Sequence, residues 1–151
     1  MVCLGNICRS PLAEGVLRHK LEQAGIKNVR VDSAGTSDYH VGDPPDLRSA
    51  KNAKSHGIDI SNLCGRQFTV KDFDAFDLIY VMDASNYQNV IALARNESDK
   101  SKVDLLLNAK WPKKNMAVPD PYYGSGDGFE NVFQLVEQAC DEIVKKVVRD
   151  Q

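Results

Sequence analysis

Cys3 and Arg9 enclose Leu4, Gly5, Asn6, Ile7 and Cys8, and Ser10 and Pro11 follow. Gly and Asn tolerate the left-handed backbone of a tight loop, and Pro11 fits the first turn of a helix. Such a segment reads as a loop wrapped around an anion. Its N–H groups point inward, and the next helix adds unpaired N–H groups and a positive dipole end. Arg9 brings a planar fork of donors that matches two oxygens of a phosphate-like dianion, which a Lys does not. Cys3 opens the loop, so its sulfur lies beneath the guest, in the same positive field that stabilises a thiolate. The chemistry this spells is a sulfur nucleophile facing phosphorus. A plainer reading, a buried strand cysteine and a helix-surface arginine, leaves the order of Gly5, Asn6, Ser10 and Pro11 unexplained.

A thiolate that displaces an aryl oxide from phosphorus needs an acid to protonate the departing oxygen. The best placed carboxyl in the sequence is Asp120, in Val118-Pro119-Asp120-Pro121-Tyr122-Tyr123-Gly124. Two prolines stiffen that segment and hold it extended. Tyr122 and Tyr123 offer an aromatic wall against which a phenyl ring could lie. Taken alone, the segment reads more simply as a turn aspartate between prolines with tyrosines covering the edge of the core; beside the Cys3 loop the acid role is favoured.

The elements that must position these residues alternate strand and helix. The first four residues read as the tail of a strand. Residues 11–24 carry one apolar face, Leu12, Ala13, Val16, Leu17, Leu21 and Ala24, with Gly25 as the stop. Val29 and Val31 lead as a strand into Asp32-Ser33-Ala34-Gly35. Asp46, after Pro44-Pro45, caps a helix that runs to about His56 and ends at Gly57. Residues 66–75 form a short helical turn with Thr69 and Asp72 as a capping box. Phe76 to Met82 reads as a central strand buried on both faces, ending at Asp83. Ser85 to Arg95 reads as a helix and Lys102 to Leu107 as another strand. Residues 108–128 form a long loop with three prolines and three glycines, and loops of that length are usually functional. Phe129, Val132, Phe133, Val136, Ala139, Cys140, Ile143, Val144 and Val147 form one stripe of a last helix, capped by Asp127 and Glu130.

This order predicts an α/β fold: a four-stranded parallel sheet with helices on both faces, a flavodoxin-like three-layer sandwich with right-handed crossovers. Ligands of such folds gather at the carboxyl ends of the strands. Cys3, Ser33, Asp83 and the loop after the last strand all fall at that edge.

The chain of 151 residues, 42% hydrophobic, suits a single domain over 1–151 with one sizeable core. A net charge of −2 without a basic stripe argues against nucleic acid as a partner. No apolar run approaches the ~20 residues of a membrane span, and no signal peptide precedes the first motif, so the expected setting is cytoplasmic, without a membrane. The cysteines at 3, 8, 64 and 140 are too scattered for a disulfide framework or a zinc site, and His19, His40 and His56 share no ligand spacing. Each histidine reads as a surface or helix-face residue.

The Cys3–Pro11 segment, together with Asp120-Pro121-Tyr122-Tyr123-Gly124, resembles the low-molecular-weight protein tyrosine phosphatases. The resemblance extends to Asp32-Ser33-Ala34-Gly35, Gly42-Asp43-Pro44-Pro45 and Met82-Asp83-Ala84-Ser85-Asn86. It implies hydrolysis of phosphotyrosine and small aryl phosphates through a cysteinyl phosphate, with no metal and no cofactor. Cys3 would be the nucleophile and Asp120 the general acid and base. Arg9 and the loop Leu4, Gly5, Asn6, Ile7, Cys8 and Ser10 would hold the phosphate. Ser33 and Asp83 would support the loop from behind, and Tyr39, Tyr122 and Tyr123 would line the mouth. Cys8 would be a redox partner of Cys3. The resemblance further implies phosphotyrosine proteins as substrates, a cognate tyrosine kinase as a partner, and inorganic phosphate as product and inhibitor. Two departures stand out: only Met1 and Val2 precede the first Cys, and no histidine stands near Asn62 or Leu63, where many relatives have one that steadies the loop asparagine.

Three other readings are compatible with the loop. An arsenate reductase would need a close pair of further cysteines, and Cys64 and Cys140 are far apart in sequence. A protein arginine phosphatase tends to carry threonine where Ile7 stands. A non-catalytic phosphate-binding module would have no use for both Cys3 and Asp120.

Overall fold

The structure is a computed structural model that describes residues 1–123 and 127–151, with backbone alone at Tyr123. Among the described residues a four-stranded sheet forms from β1 (Val2–Cys3), β2 (Ala34–Gly35), β3 (Ile79–Val81) and β4 (Val103–Leu105). All pairings are parallel, in the order β2-β1-β3-β4. Val2 is in register with both Ala34 and Val81. The chain therefore leaves β1 in one direction to make β2 and in the other to make β3, and Cys3 ends the strand at that reversal.

Helices cover both faces. On one, α1 (Arg9–Gln23) and α6 (Asp127–Arg149) close over Leu12, Val16, Met82, Leu106, Val118, Phe133 and Val136. On the other, α3 (Lys71–Ala75) and α4 (Ala84–Ile91) cover Val2, Phe68, Phe73, Ile79, Val81, Val90 and Leu105. Val81 and Met82 thus point to opposite cores, as adjacent strand residues must. The stripe predicted for the last helix packs inward, with Phe129, Val132, Phe133, Val136, Ala139, Cys140 and Ile143 buried. The first half of α1 is enclosed all round, Arg9, Ser10 and Glu14 included.

Several expected boundaries move. Residues 29–33 belong to no strand, and β3 and β4 are each three residues long, with Tyr80 only half-buried. The parallel ladder needs partners on both sides, and β1 offers β3 only Val2. A further helix, α5 (Glu97–Ser101), lies where none is predicted, capped by Asn96, whose side chain accepts from the Asp99 N–H at 2.9 Å. Asp46 caps α2 (Leu47–Ser55) as expected, and Gly57 ends it at φ 80°. At Thr69 half of the capping box forms: Asp72 accepts from the Thr69 N–H at 2.9 Å. The cap expected at the start of α6 falls at residues 124–126, outside the described residues. The Glu130 carboxylate accepts from Asn52 and Gln134 and pairs with His56, each at 2.7–2.8 Å, where α6 lies against α2. Among the described residues no helix is long and apolar enough to cross a membrane.

Candidate active site

At the carboxyl end of β1 the chain turns directly into a tight loop. Asn6 takes the left-handed conformation at φ 57°. Every polar atom of its side chain is used: Nδ2 donates to Ser10 Oγ at 2.8 Å and to Ser33 Oγ at 2.9 Å, and Oδ1 accepts the Arg66 N–H at 3.0 Å. Arg66 thereby anchors the asparagine by its backbone. With no histidine at Asn62 or Leu63, the amide oxygen has its donor in that backbone N–H. Gly5 has no left-handed φ; it is small for another reason, since a Cβ there would stand 3.0 Å from the His40 ring. Behind the loop a Cβ on Gly35 would lie 2.8 Å from the Leu4 carbonyl oxygen and 3.2 Å from Asn6 Cβ, so only glycine lets the loop seat on β2.

The Cys3 sulfur accepts the Asn6 N–H at 3.3 Å and lies 3.0 Å from Ser10 Oγ. Cys8 caps α1 without a side-chain acceptor, so the first-turn N–H groups have no partner within the helix. Arg9 begins α1 and is buried. Its Nη1 donates to Asp83 Oδ2 at 2.8 Å and to the Val118 carbonyl at 2.9 Å, and its Nη2 stands 3.7 Å from Asp120 Oδ2. Asp83 has two tasks, for its Oδ1 caps α4 through the Asn86 N–H at 2.8 Å. Asp120 Oδ1 accepts the Tyr122 N–H at 3.0 Å, which turns the segment back on itself after Pro121.

Cys3, Leu4, Gly5, Ile7, Cys8, Arg9, Asp120, Tyr39 and Tyr122 line one cleft of about 200 Å³, together with Ser37 and His40. The residues singled out from the sequence thus converge, apart from Asn6, Ser10, Ser33 and Asp83, which do not line the cleft. The Tyr123 side chain lies outside the described residues. Burial pushes the Cys8 thiol up to about 12, helped by the carboxylate of Asp46. Cys140 is likewise pushed up to about 12 by burial in the core and does not line the cleft. Among the described residues no three His, Cys, Asp or Glu side chains are grouped to hold a metal ion.

Sequence reasoning missed four residues here. His40 sits at the cleft rather than on a helix face, its Nδ1 3.0 Å from Asp43 Oδ2. Glu14 is buried, against Ser33. Arg66 holds Asn6, and Arg48 reaches the Tyr122 carbonyl at 3.3 Å. Only Glu14 left a signal, as an acid one turn after Ser10 and one turn before Arg18.

The description "Low molecular weight phosphotyrosine protein phosphatase" matches residues 1–151. A putative low molecular weight protein-tyrosine-phosphatase of Synechocystis is 42% identical over 150 residues, covering 99% of this chain and 95% of that one. The human low molecular weight phosphotyrosine protein phosphatase is 43% identical over 147 residues, 96% of this chain and 92% of its own. Among solved structures, a protein tyrosine phosphatase of Entamoeba histolytica, crystallised with Hepes in its active site, superposes with a TM-score of 0.92 at 37% identity, over 99% of this chain and 95% of that chain. The chain belongs to the low molecular weight phosphotyrosine protein phosphatase family.

Proposed function

We propose that the protein hydrolyses phosphotyrosine in proteins, and small aryl phosphates, with Cys3 as nucleophile and Asp120 as acid and then base. The observation that carries this reading is the Cys3 sulfur itself, which lies in the cleft under two hydrogen-bond contacts, with the buried Arg9 and the exposed Asp120 lining the same cleft. In the first step sulfur bonds to phosphorus as the bond to the tyrosyl oxygen breaks, and the Asp120 carboxyl gives that oxygen its proton. Arg9 and the N–H groups of residues 4–10 hold the equatorial oxygens. In the second step the Asp120 carboxylate takes a proton from water, the water oxygen bonds to phosphorus, and the sulfur leaves as thiolate towards the Ser10 hydroxyl. Inorganic phosphate is released and competes for the loop.

Ile7, Leu4, Tyr39 and Tyr122 make the walls apolar and aromatic, which favours an aryl ring over a guanidinium and phosphotyrosine over phosphoarginine. A cognate tyrosine kinase would supply the substrates, and four free thiols suit a reducing cytoplasm. Hydrolysis of p-nitrophenyl phosphate in EDTA by the protein and by Cys3→Ser tests the reading. Turnover confined to the parent is expected; none by the folded parent would sink it.

A further inference from the structure

Ten large apolar side chains are exposed among the described residues, and half of them, Leu4, Tyr39, Val41, Leu47 and Tyr122, belong to the cleft or its rim. Leu4, Tyr39 and Tyr122 line the cleft itself. Val41 and Leu47 do not, yet their neighbours tie them to its mouth. Val41 follows His40, which lines the cleft. Leu47 stands between Asp46, whose N–H donates to the Ile7 carbonyl at 2.8 Å, and Arg48, which reaches the Tyr122 carbonyl at 3.3 Å. Val41 is 56% and Leu47 84% exposed. Single exposed apolar residues are ordinary, but several gathered round one concave site mark a contact surface.

The cations of the same rim are already engaged. Arg48 is held by Asp46 and the Tyr122 carbonyl, and His40 Nδ1 lies 3.0 Å from Asp43 Oδ2. Asp38, exposed and three residues before Val41, has no ion pair among the described residues. The rim therefore suits an apolar chain better than an acidic one. A phosphotyrosine whose ring fills the cleft also fixes where the rest of its peptide runs. In an extended chain the residues next to it point away from the protein, while those two positions before and after it, about 7 Å along, point to the same face.

We propose that Val41 and Leu47 are specificity-determining residues, each forming an apolar subsite for a side chain two positions from the phosphotyrosine, so that preferred substrates carry apolar residues at −2 and +2. The inference rests on the phosphatase reading above and names its substrate class. A rim contact is the same in the ground state and the transition state, so its effect falls on KM.

Steady-state kinetics on four phosphotyrosine peptides of one length tests it: leucine at −2 and +2, leucine at −1 and +1, glutamate at −2 and +2, and alanine at all four positions. The protein is expected to favour the first over the alanine peptide by about tenfold in kcat/KM, and to turn over the glutamate peptide less well than the alanine one. Leu47→Ala and Val41→Ala, both at exposed positions, should each remove about threefold of the leucine advantage, with a smaller loss on the alanine peptide, so that the preference collapses. Equal kcat/KM on the first two peptides would overturn the proposal, and so would variant losses that are the same for the leucine and alanine peptides. Specific activity that rises on dilution of the protein would also overturn it, by assigning the rim to a second copy of the chain. Failure of the phosphatase reading shows separately, as absent turnover of p-nitrophenyl phosphate by the folded parent.

Discussion

The Asp83 carboxylate serves the backbone with one oxygen and Arg9 with the other, so the cap of α4 and the aim of the guanidinium are one structure. Asparagine is as good a cap as aspartate, but it leaves the buried Arg9 charge facing Asp120 at 3.7 Å. Asp83→Asn is expected to lower unfolding free energy by about 1–3 kcal/mol in phosphate-free buffer, less than a fully buried pair would because Asp83 is partly exposed. Inorganic phosphate should stabilise the variant by more than it stabilises the parent, since the anion replaces the missing charge. Urea unfolding with and without phosphate measures both; an equal gain in the two proteins would contradict the assignment.

Arg48 ties the acid-bearing turn to α2. Its guanidinium donates to the Tyr122 carbonyl, lies 5.4 Å from the Tyr122 ring centre and 4.8 Å from that of Phe129, and is oriented by Asp46. The Asp46 N–H in turn donates to the Ile7 carbonyl of the phosphate loop at 2.8 Å. Arg48→Ala should misplace Asp120 and lower kcat/KM for phenyl phosphate roughly tenfold, part of the 10²–10⁴-fold that a positioned acid supplies. The loss should be much smaller for p-nitrophenyl phosphate, whose leaving group needs less help. Steady-state kinetics on the two esters decides, and equal losses would assign Arg48 to binding instead.

Burial and neighbouring negative charge raise the Cys8 thiol to about 12. If peroxide oxidises Cys3 to the sulfenic acid, Cys8 must attack as thiolate to form the disulfide and release hydroxide. Disulfide formation should then be slow at neutral pH and accelerate about tenfold per pH unit below that value, while Cys8→Ser loses it altogether. Mass spectrometry of peroxide-treated protein across pH measures the rate. A rate flat in pH would exclude Cys8 as the resolving thiol.

His56, Gln134 and Asn52 hold Glu130 down at about 2 in the folded protein. Its folded value lies below the ordinary carboxylate range, so the stabilisation is complete above about 4.3 and is lost as pH falls towards about 2. His56 also stacks on Phe133 at 3.7 Å between ring centroids, which fixes its approach. The stability gap between the parent and Glu130→Gln should narrow across that window in urea titrations at successive pH values. A constant gap would show that the hydrogen bonds act independently of charge.

Local signals located most of the frame. Gly25, Gly57 and Asp46 mark helix ends that depend on the backbone of one or two residues, and the stripe of α6 depends on a single face. Strand lengths were less legible, because a parallel ladder is as long as its neighbours allow and β1 contributes two residues. Asn96, which starts α5, is a local signal that was passed over. In the site, Cys3, Arg9 and Asp120 were readable because a linear pattern carries them. His40 lines the cleft, and Arg48 and Arg66 hold residues of the site, from distant parts of the chain: Arg66 meets Asn6 across 60 positions, and no spacing rule spans that.

The seat that Gly35 gives the phosphate loop divides the cleft into a floor and a roof. A single methyl group on the floor would collide with backbone, whereas the roof is hung on exposed side chains such as Tyr39, 84% accessible, and Tyr122. Variation is thus cheap on one side and ruinous on the other. A side chain of another size fits at the roof without displacing its neighbours, while at Gly35 even one added carbon must push the loop backbone away.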